Sequence, residues 1–223
     1  MDRIDKTIIT TIIFDLDQTL VDRRAIFVNF LRGQHERWAE KFADTGADQY
    51  IRFILSLDNN GYSDKATIYQ QVASKFGLND DAGPALYADY TEFYGASPVL
   101  YPGVHQLLTR LAKQYKLGLI SKGRTIGQTR KIEQTNIRGY FETILVSETE
   151  GIKKPDTRIF ERCLQRMNVQ AAHAIYIGDN PVNDIEPPRS LGMQAIWVDQ
   201  GIYEPTAAAN AVIQEIAELE EIL

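Results

Sequence analysis

Two aspartates, Asp15 and Asp17, end an apolar segment near the start of the chain and could act on the same chemical group. Residues two apart on a strand point to the same side, so both carboxylates are expected to face one small volume. Two like charges placed there need a cation or a shared proton. An isolated Asp-x-Asp is more often a pair of turn or capping aspartates, so its interpretation depends on the rest of the chain.

Other polar residues come directly after predicted strands or at the start of the helix that follows. Ser121 and Asp179 each follow a strand-like run, and Lys154 precedes Pro155 at the start of a predicted helix. The carboxyl ends of parallel strands meet at one edge of an open α/β sheet, where ligands bind. Acids, a hydroxyl and a lysine gathered at that edge suit a hard cation with water and phosphate as its partners.

Short apolar runs predict the buried strands that position these residues. The runs cover residues 11–15, 116–121, 143–147, 174–179 and 195–199. Patterns of helical length lie between the last four runs. This alternation predicts an α/β fold with a doubly wound, Rossmann-like parallel sheet. The tail, residues 212–223, is expected to be a short amphipathic helix that packs on the sheet domain.

The long segment between the first and second predicted strands should be a separate helical unit. It holds about a hundred residues, far more than a single crossover needs. Helical spacing recurs along it, and one apolar stripe on its first helix includes Phe27, Leu31 and His35. We therefore expect a core domain of residues 1–21 and 99–223 with an α-helical domain, residues 22–98, inserted into it.

The composition indicates a folded, acidic protein from a reducing compartment. With 223 residues, 44% apolar residues and a formal net charge of -6, the chain can bury a core and should not attract nucleic acid or anionic membranes. Cys163 is the only cysteine, which excludes an internal disulfide. The apolar run 8–14 is too short to span a bilayer. We expect a cytoplasmic protein that is a monomer or a weak homodimer.

Four motifs give the chain a resemblance to a known family. FDLDQTLVD at 14–22, LISKG at 119–123, KKPDTRIF at 153–160 and GDNPVND at 178–184 are similar, in order and spacing, to motifs of the haloacid dehalogenase superfamily. The chain resembles most the phosphatases of that superfamily, which carry a helical cap between the first and second motifs. The resemblance covers almost the whole chain, and it implies a catalytic core with a cap that closes over the site and selects the leaving group.

The resemblance also implies a role for each matched residue. Asp15 is the expected nucleophile and forms an aspartyl-phosphate, while Asp17 acts first as general acid and then as general base. Ser121 is expected to bind a phosphoryl oxygen, and Lys154 to neutralise the nucleophile and the transferring group. Mg²⁺ is the implied cofactor, held by the carboxylates of Asp15 and Asp179 and by the backbone carbonyl of Asp17.

Of three further positions, Asp184 and Lys122 have more than one interpretation. Asp184 either contributes to the Mg²⁺ site, directly or through water, or orients Lys154, and capping of the following helix explains it equally well. Lys122 stands where the family usually has asparagine, and it either adds a cation beside the phosphate or points to solvent. Gly123 is expected to offer a backbone amide to the phosphate.

The function implied by the resemblance is hydrolysis of a small phosphorylated metabolite. A phosphomutase that passes the aspartyl-phosphate back to a sugar remains an alternative. A dehalogenase fits less well, because displacement of halide needs neither Mg²⁺ nor a proton donor such as Asp17. A non-catalytic binding protein fits poorly with the presence of the complete set of acids, lysine and hydroxyl.

Overall fold

The computed structural model describes residues 4–223, which divide into two compact units. The first unit comprises the described residues up to Arg23 together with Pro98–Leu223, and the second is Arg24–Ser97. The assignment of a catalytic role to the first unit and a cap role to the second stays a proposal.

A parallel β-sheet forms the centre of the first unit. Within the described residues the sheet has six strands in the order β3-β2-β1-β4-β5-β6, and every neighbouring pair is parallel. The strands are β1 Thr11–Phe14, β2 Lys116–Ser121, β3 Thr143–Val146, β4 Ala174–Gly178, β5 Gln194–Val198 and β6 Ala211–Ile213. The prediction of a doubly wound parallel α/β fold is confirmed.

The central strands β1 and β4 are buried along their whole length and almost entirely apolar, because both faces of the sheet are covered. Every residue of β1 and β4 is buried, as expected for strands with helices on both sides. β1 pairs with β2 on one side and with β4 on the other, so the strand order reverses at β1. Ligands bind outside the carboxyl ends of the strands at such a reversal.

The helices, numbered along the chain, belong to both units. They are α1 Arg23–Arg37, α2 Ala47–Asp58, α3 Lys65–Lys75, α4 Ala82–Phe93, α5 Val104–Leu111, α6 Thr125–Gln134, α7 Ser147–Glu150, α8 Arg158–Met167, α9 Glu186–Ser190 and α10 Leu219–Ile222. Short 3₁₀ turns cover Ala39–Lys41, Asn59–Gly61, Arg138–Tyr140, Ala171–His173 and Ile216–Glu218, and a π turn covers Pro181–Ile185. No helix within residues 4–223 is both long enough and apolar enough to cross a bilayer.

Helix α8 shows how the first unit buries its core. Ile159, Phe160 and Cys163 lie on one face of α8 and pack with Ile13 of β1 and Tyr176 of β4 in one buried cluster. This spacing of three and four residues is the stripe that an amphipathic helix presents to a sheet. The cluster thus anchors α8 behind the strands whose ends carry the polar residues.

The predicted tail helix is wrong over its first residues. Ala211–Ile213 form the edge strand β6, parallel to β5, and a helical turn begins only at Ile216. Val212 is exposed and Ile213 is buried, which is the alternation of an edge strand covered on one face. A strand of three residues is too short to leave a period in the sequence.

The segment after the fourth motif is helical despite its two prolines. Asn180 caps it, because its side-chain Oδ1 accepts hydrogen bonds from the backbone N–H groups of Val182 and Asn183. Pro187 falls in the first turn of α9, where a missing N–H loses no intrahelical bond. Asp184 lies inside the π turn and is not the capping residue.

The second unit is helical, formed by α1 from Arg24 onward and by α2, α3 and α4. Its buried cluster includes Phe27, Leu31, Tyr50 and Tyr69. His35 lies on α1, as Phe27 and Leu31 do. Its ring stacks on Phe42 with ring centroids 5.6 Å apart and is hydrogen-bonded to the carbonyl of Thr45. The contacts described for His35 are thus packing contacts within this unit.

Candidate active site

The ends of three neighbouring strands bring the candidate residues together. Asp15 directly follows β1, Ser121 is the last residue of β2, and Asp179 directly follows β4. The registers place Phe14 beside Leu119 on one side and beside Ile177 on the other. Residues from distant parts of the sequence therefore reach one edge of the sheet, as the strand pattern predicts.

Three buried carboxylates form an acidic cluster at this edge. One carboxylate oxygen from each of Asp15, Asp179 and Asp184 lies within 4.8 Å of those from the other two. Asp184 reaches the cluster by packing against Gly178, where a Cβ atom would lie only 2.5 Å from that of Asp184. The backbone N–H of Asn180 donates to Asp184 Oδ2 at 3.0 Å and holds the second oxygen in place.

The ammonium of Lys154 is the cation of the acidic cluster. Its Nζ donates to Asp15 Oδ1 at 2.5 Å, to Asp184 Oδ1 at 2.5 Å and to the hydroxyl of Tyr176 at 3.1 Å. The Tyr176 hydroxyl donates in turn to the carbonyl of Ile120 at 3.3 Å. These contacts match the orienting role for Asp184, and the side chain of Lys154 is itself buried.

The pKa values follow from burial and from an excess of negative charge. Burial and, to a lesser extent, the charge of Asp184 raise the pKa of Asp15 to about 7 against the lowering effect of Lys154. Burial, and next the charge of Asp184, raise the pKa of Asp179 well above its ordinary value. Burial alone would lower the pKa of Lys154, but its two aspartate partners raise it well above normal. One ammonium thus faces three buried carboxylates.

The donor set of the cluster fits a small divalent cation. Carboxylate oxygens are the ligands that Mg²⁺ prefers, and a buried cluster with surplus negative charge is stabilised by a cation. Asp15, Asp179 and Asp184 could supply these oxygens. The predicted contact through the backbone carbonyl of Asp17 stays a prediction.

The carboxylate of Asp17 does not belong to the acidic cluster. Both of its oxygens accept hydrogen bonds from Lys131 Nζ, at 2.5 and 2.8 Å, and Oδ2 also accepts from Gln128 Nε2 at 2.8 Å. Burial would raise the pKa of Asp17, but the Lys131 ammonium and the hydrogen bonds from Lys131 and Gln128 bring it below its ordinary value. These contacts therefore favour the ionised form of Asp17.

The remaining predicted residues follow β2. Ser121 is buried, and its Oγ accepts a hydrogen bond from Gln128 Nε2 at 2.5 Å. Lys122 is half-buried; burial lowers its pKa, and the charges of Lys154 and Lys153 lower it further. The Gly123 amide donates to the hydroxyl of Ser147 at 3.0 Å, so in this structure it links the turn after β2 to the first residue of α7. Phosphate contacts at Lys122 and Gly123 stay predictions.

The sequence analysis missed Gln128, Lys131 and Tyr176. Tyr176 lies inside an apolar strand, where an aromatic residue suggests packing. Gln128 and Lys131 lie three residues apart on α6 and are both buried. Their spacing on a helix that starts just after the second motif is the signal that was available in the sequence.

Comparison with known proteins assigns the class. The family model for haloacid dehalogenase-like hydrolases matches residues 12–198. That match covers the helical unit, every candidate residue described above and strands β1 to β5 apart from Thr11, and it ends before β6. The protein belongs to the haloacid dehalogenase-like hydrolase family, and the prediction of an enzyme of this class is confirmed.

The chain is similar to two phosphatases in sequence and to a magnesium-bound hydrolase in fold. The chain is 29% identical, over 235 aligned positions, to a glyceraldehyde 3-phosphate phosphatase of Pyrococcus furiosus, with 96% of this chain and 93% of the relative covered. It is 30% identical over 211 positions to the enzyme of the same name from Pyrococcus abyssi, with 86% and 82% covered. The crystal structure of the HAD-hydrolase YfnB from Bacillus subtilis, bound to magnesium, has the same fold. Its TM-score is 0.79 at 23% identity, with 96% and 98% of the two chains covered.

Proposed function

We propose that this protein is a Mg²⁺-dependent phosphohydrolase that cleaves a small phosphorylated metabolite through an aspartyl-phosphate on Asp15. The observation that carries the proposal is the position of the Asp15 carboxylate, 2.5 Å from the Lys154 ammonium and within the acidic cluster at the end of β1. The phosphatase names of its relatives support a phosphate ester as substrate. Triose phosphates are the first compounds to test.

The first chemical step uses Asp15 and Asp17. A carboxylate oxygen of Asp15 forms a bond to phosphorus while the bond to the ester oxygen breaks, and Asp17 gives a proton to that leaving oxygen. Lys154 offsets the charge that otherwise repels a carboxylate from phosphate, and Ser121 donates a hydrogen bond to a phosphoryl oxygen. A bound Mg²⁺, held by Asp15, Asp179 and the carbonyl of Asp17, would supply further positive charge to the phosphoryl group.

The second step hydrolyses the aspartyl-phosphate. Asp17 takes a proton from a water molecule, whose oxygen attacks phosphorus and releases phosphate and the Asp15 carboxylate. The lowered pKa of Asp17 favours the ionised form that this step needs. The first step requires the protonated form of Asp17 when the ester is bound.

Release of inorganic phosphate from a panel of phosphate esters, with and without Mg²⁺, tests the proposal. We expect Mg²⁺-dependent turnover that is abolished in Asp15→Asn. When the reaction of the unsubstituted protein is stopped with acid, mass spectrometry should detect a phosphoryl group on Asp15, because an acyl phosphate survives acid. Asp44→Asn, which changes an exposed aspartate of the helical unit, is the matched control and should keep full activity. Normal turnover by Asp15→Asn would overturn the mechanism.

The same panel separates the alternatives. A phosphomutase interconverts sugar phosphate isomers while it releases phosphate slowly. A dehalogenase releases halide from 2-haloacids without Mg²⁺. A non-catalytic protein binds Mg²⁺ but turns over none of these compounds.

A further inference from the structure

The carboxylate of Asp17 is fixed by a lysine that belongs to neither the acidic cluster nor the four motifs. Lys131 comes from α6, is 2% exposed, and places its Nζ against both oxygens of Asp17. A buried lysine loses the freedom of a long side chain and its hydration, and a buried ion pair seldom repays this in stability. The two hydrogen bonds from Lys131 Nζ hold the Asp17 carboxylate in one orientation.

Gln128 connects that carboxylate to the hydroxyl expected to bind phosphate. Its Nε2 lies 2.8 Å from Asp17 Oδ2, 2.5 Å from Ser121 Oγ and 3.2 Å from the carbonyl oxygen of Lys122. One amide nitrogen therefore contacts both Asp17, three residues after the end of β1, and Ser121, the last residue of β2. The same side chain thus contacts both the expected proton-transferring group and the expected phosphate-binding hydroxyl.

The local sequence keeps room for this arrangement. Gln128 and Lys131 are three residues apart, so both side chains leave α6 on the same face. At Gly123 a Cβ atom would lie 3.1 Å from both Cγ and Cδ of Gln128, and its φ of +151° also disfavours a side chain. The glycine before the helix thus leaves the space that Gln128 occupies.

We propose that Lys131 and Gln128 are positioning residues that fix the Asp17 carboxylate relative to Ser121 for proton transfer to the leaving group. The inference rests on the proposed phosphatase function and adds residues that act through Asp17 without touching the substrate. Proton transfer from a positioned acid matters most when the leaving oxygen is strongly basic. The loss of kcat/KM that follows removal of the positioning contacts should therefore depend on the leaving group.

The test compares kcat/KM for an alkyl phosphate, glycerol phosphate, with that for an aryl phosphate, p-nitrophenyl phosphate. Lys131→Met should lower kcat/KM for the alkyl ester about 100-fold and for the aryl ester less than about fivefold, because the phenolate leaves with little protonation. Lys131→Arg keeps the cation and should recover most of the loss. Gln128→Leu keeps the Lys131 ion pair and should show the same selectivity with a smaller loss.

Lys113→Met and Gln134→Leu are the matched controls, because they make the same changes at exposed positions. Both should leave kcat/KM unchanged for the alkyl and the aryl ester. If Lys131→Met does not fold, Gln128→Leu carries the test. Equal losses for the two esters, or no loss, would overturn the positioning role while leaving the phosphatase intact. A native protein that is inactive on all phosphate esters would overturn the proposed function, and this inference with it.

Discussion

The ammonium of Lys154 donates a hydrogen bond to the carboxylate of Asp15 across 2.5 Å, although the two residues are 139 positions apart in the chain. The same nitrogen bonds Asp184, so one cation holds the expected nucleophile and a second carboxylate at once. A carboxylate that is held and partly neutralised in this way can approach a phosphate dianion, which is the condition that nucleophilic attack requires.

Removal of the Lys154 charge should damage both activity and stability. In Lys154→Met two buried carboxylates lose their cation, so we expect kcat to fall about 10²–10³-fold and the free energy of unfolding to fall by about 3–5 kcal/mol. Steady-state phosphate release and urea denaturation without metal measure the two effects. Added Mg²⁺ should restore part of the stability, since it neutralises the same carboxylates.

The neighbouring lysine provides the control for this substitution. Lys153 is exposed and Lys154 is buried, although both precede Pro155. Lys153→Met should leave kcat and the free energy of unfolding close to those of the native protein. Equal effects of the two substitutions would mean that Lys154 has no special role.

Binding of Mg²⁺ should depend on pH because protons compete for the same oxygens. The pKa of Asp15 is raised to about 7 in the metal-free protein. The raised value favours the protonated form, so its contribution to metal-free stability is present below the unfolded pKa near 4 and is lost as the pH rises through about 7. Mg²⁺ binds the ionised form, and its affinity should rise over the same interval.

Thermal unfolding with and without Mg²⁺ measures this competition. The increase in Tm should be small near pH 5 and large near pH 8, and calorimetry in buffers of different ionisation enthalpy should detect released protons at about pH 6. An increase in Tm that is independent of pH would contradict the raised pKa of Asp15.

The part of the fold that could be predicted is the part in which apolar residues form continuous runs or recur at helical spacing. The strands that lead to Asp15, Ser121 and Asp179 are buried except for Lys116 at the start of β2, so their hydrophobic runs show directly in the sequence. The edge strand Ala211–Ile213 pairs on one side only and has three residues, too few to distinguish it from a helix.

The candidate site could be predicted where a residue follows a strand, and could not where it acts from a helix face. Asp15 and Asp179 owe their positions to strand ends. Lys131 meets Asp17 because α6 packs beside the sheet. The three-residue spacing from Gln128 places both side chains on one face of α6, but it does not identify Asp17 as their partner. For Asp184 the sequence allowed a Mg²⁺ site, orientation of Lys154 or helix capping. The structure excludes capping and shows contacts with Lys154 and the Asn180 amide, while a role in binding Mg²⁺ stays a prediction.

The thiol of Cys163 should be unreactive in the folded protein. Cys163 is fully buried on the face of α8 that packs against the sheet, and burial raises the pKa of its thiol to about 12. The nucleophilic thiolate is then nearly absent at about pH 8, and reagents have no access to it. A disulfide reagent such as DTNB should modify no thiol in the native protein and one thiol per chain in urea. Rapid modification of the native protein would show that α8 separates readily from the sheet.

The helical unit contains a buried polar network around Gln34 that should contribute strongly to its stability. Gln34 Oε1 accepts hydrogen bonds from the hydroxyls of Tyr50 and Tyr69 at 2.7 and 2.9 Å. Its Nε2 donates to the Leu86 carbonyl and to Asp89 Oδ1, each at 2.9 Å. The amide thus uses both lone pairs and both hydrogens, and it lies on the face of α1 that the apolar pattern assigns to the core.

Gln34→Leu should lower the free energy of unfolding by about 3 kcal/mol, because it fills the same space while leaving buried hydroxyls and a carbonyl without a partner. Replacement of Tyr50 and Tyr69 by phenylalanine in that variant removes the stranded hydroxyls and should recover part of the loss, which makes the effects non-additive. Gln49→Leu, at an exposed position of the same unit, should change stability by less than about 0.5 kcal/mol. Urea denaturation followed by circular dichroism measures all of these variants. A full loss that persists in the triple variant would mean that side-chain packing, and not the hydrogen bonds of Gln34, determines the stability of this unit.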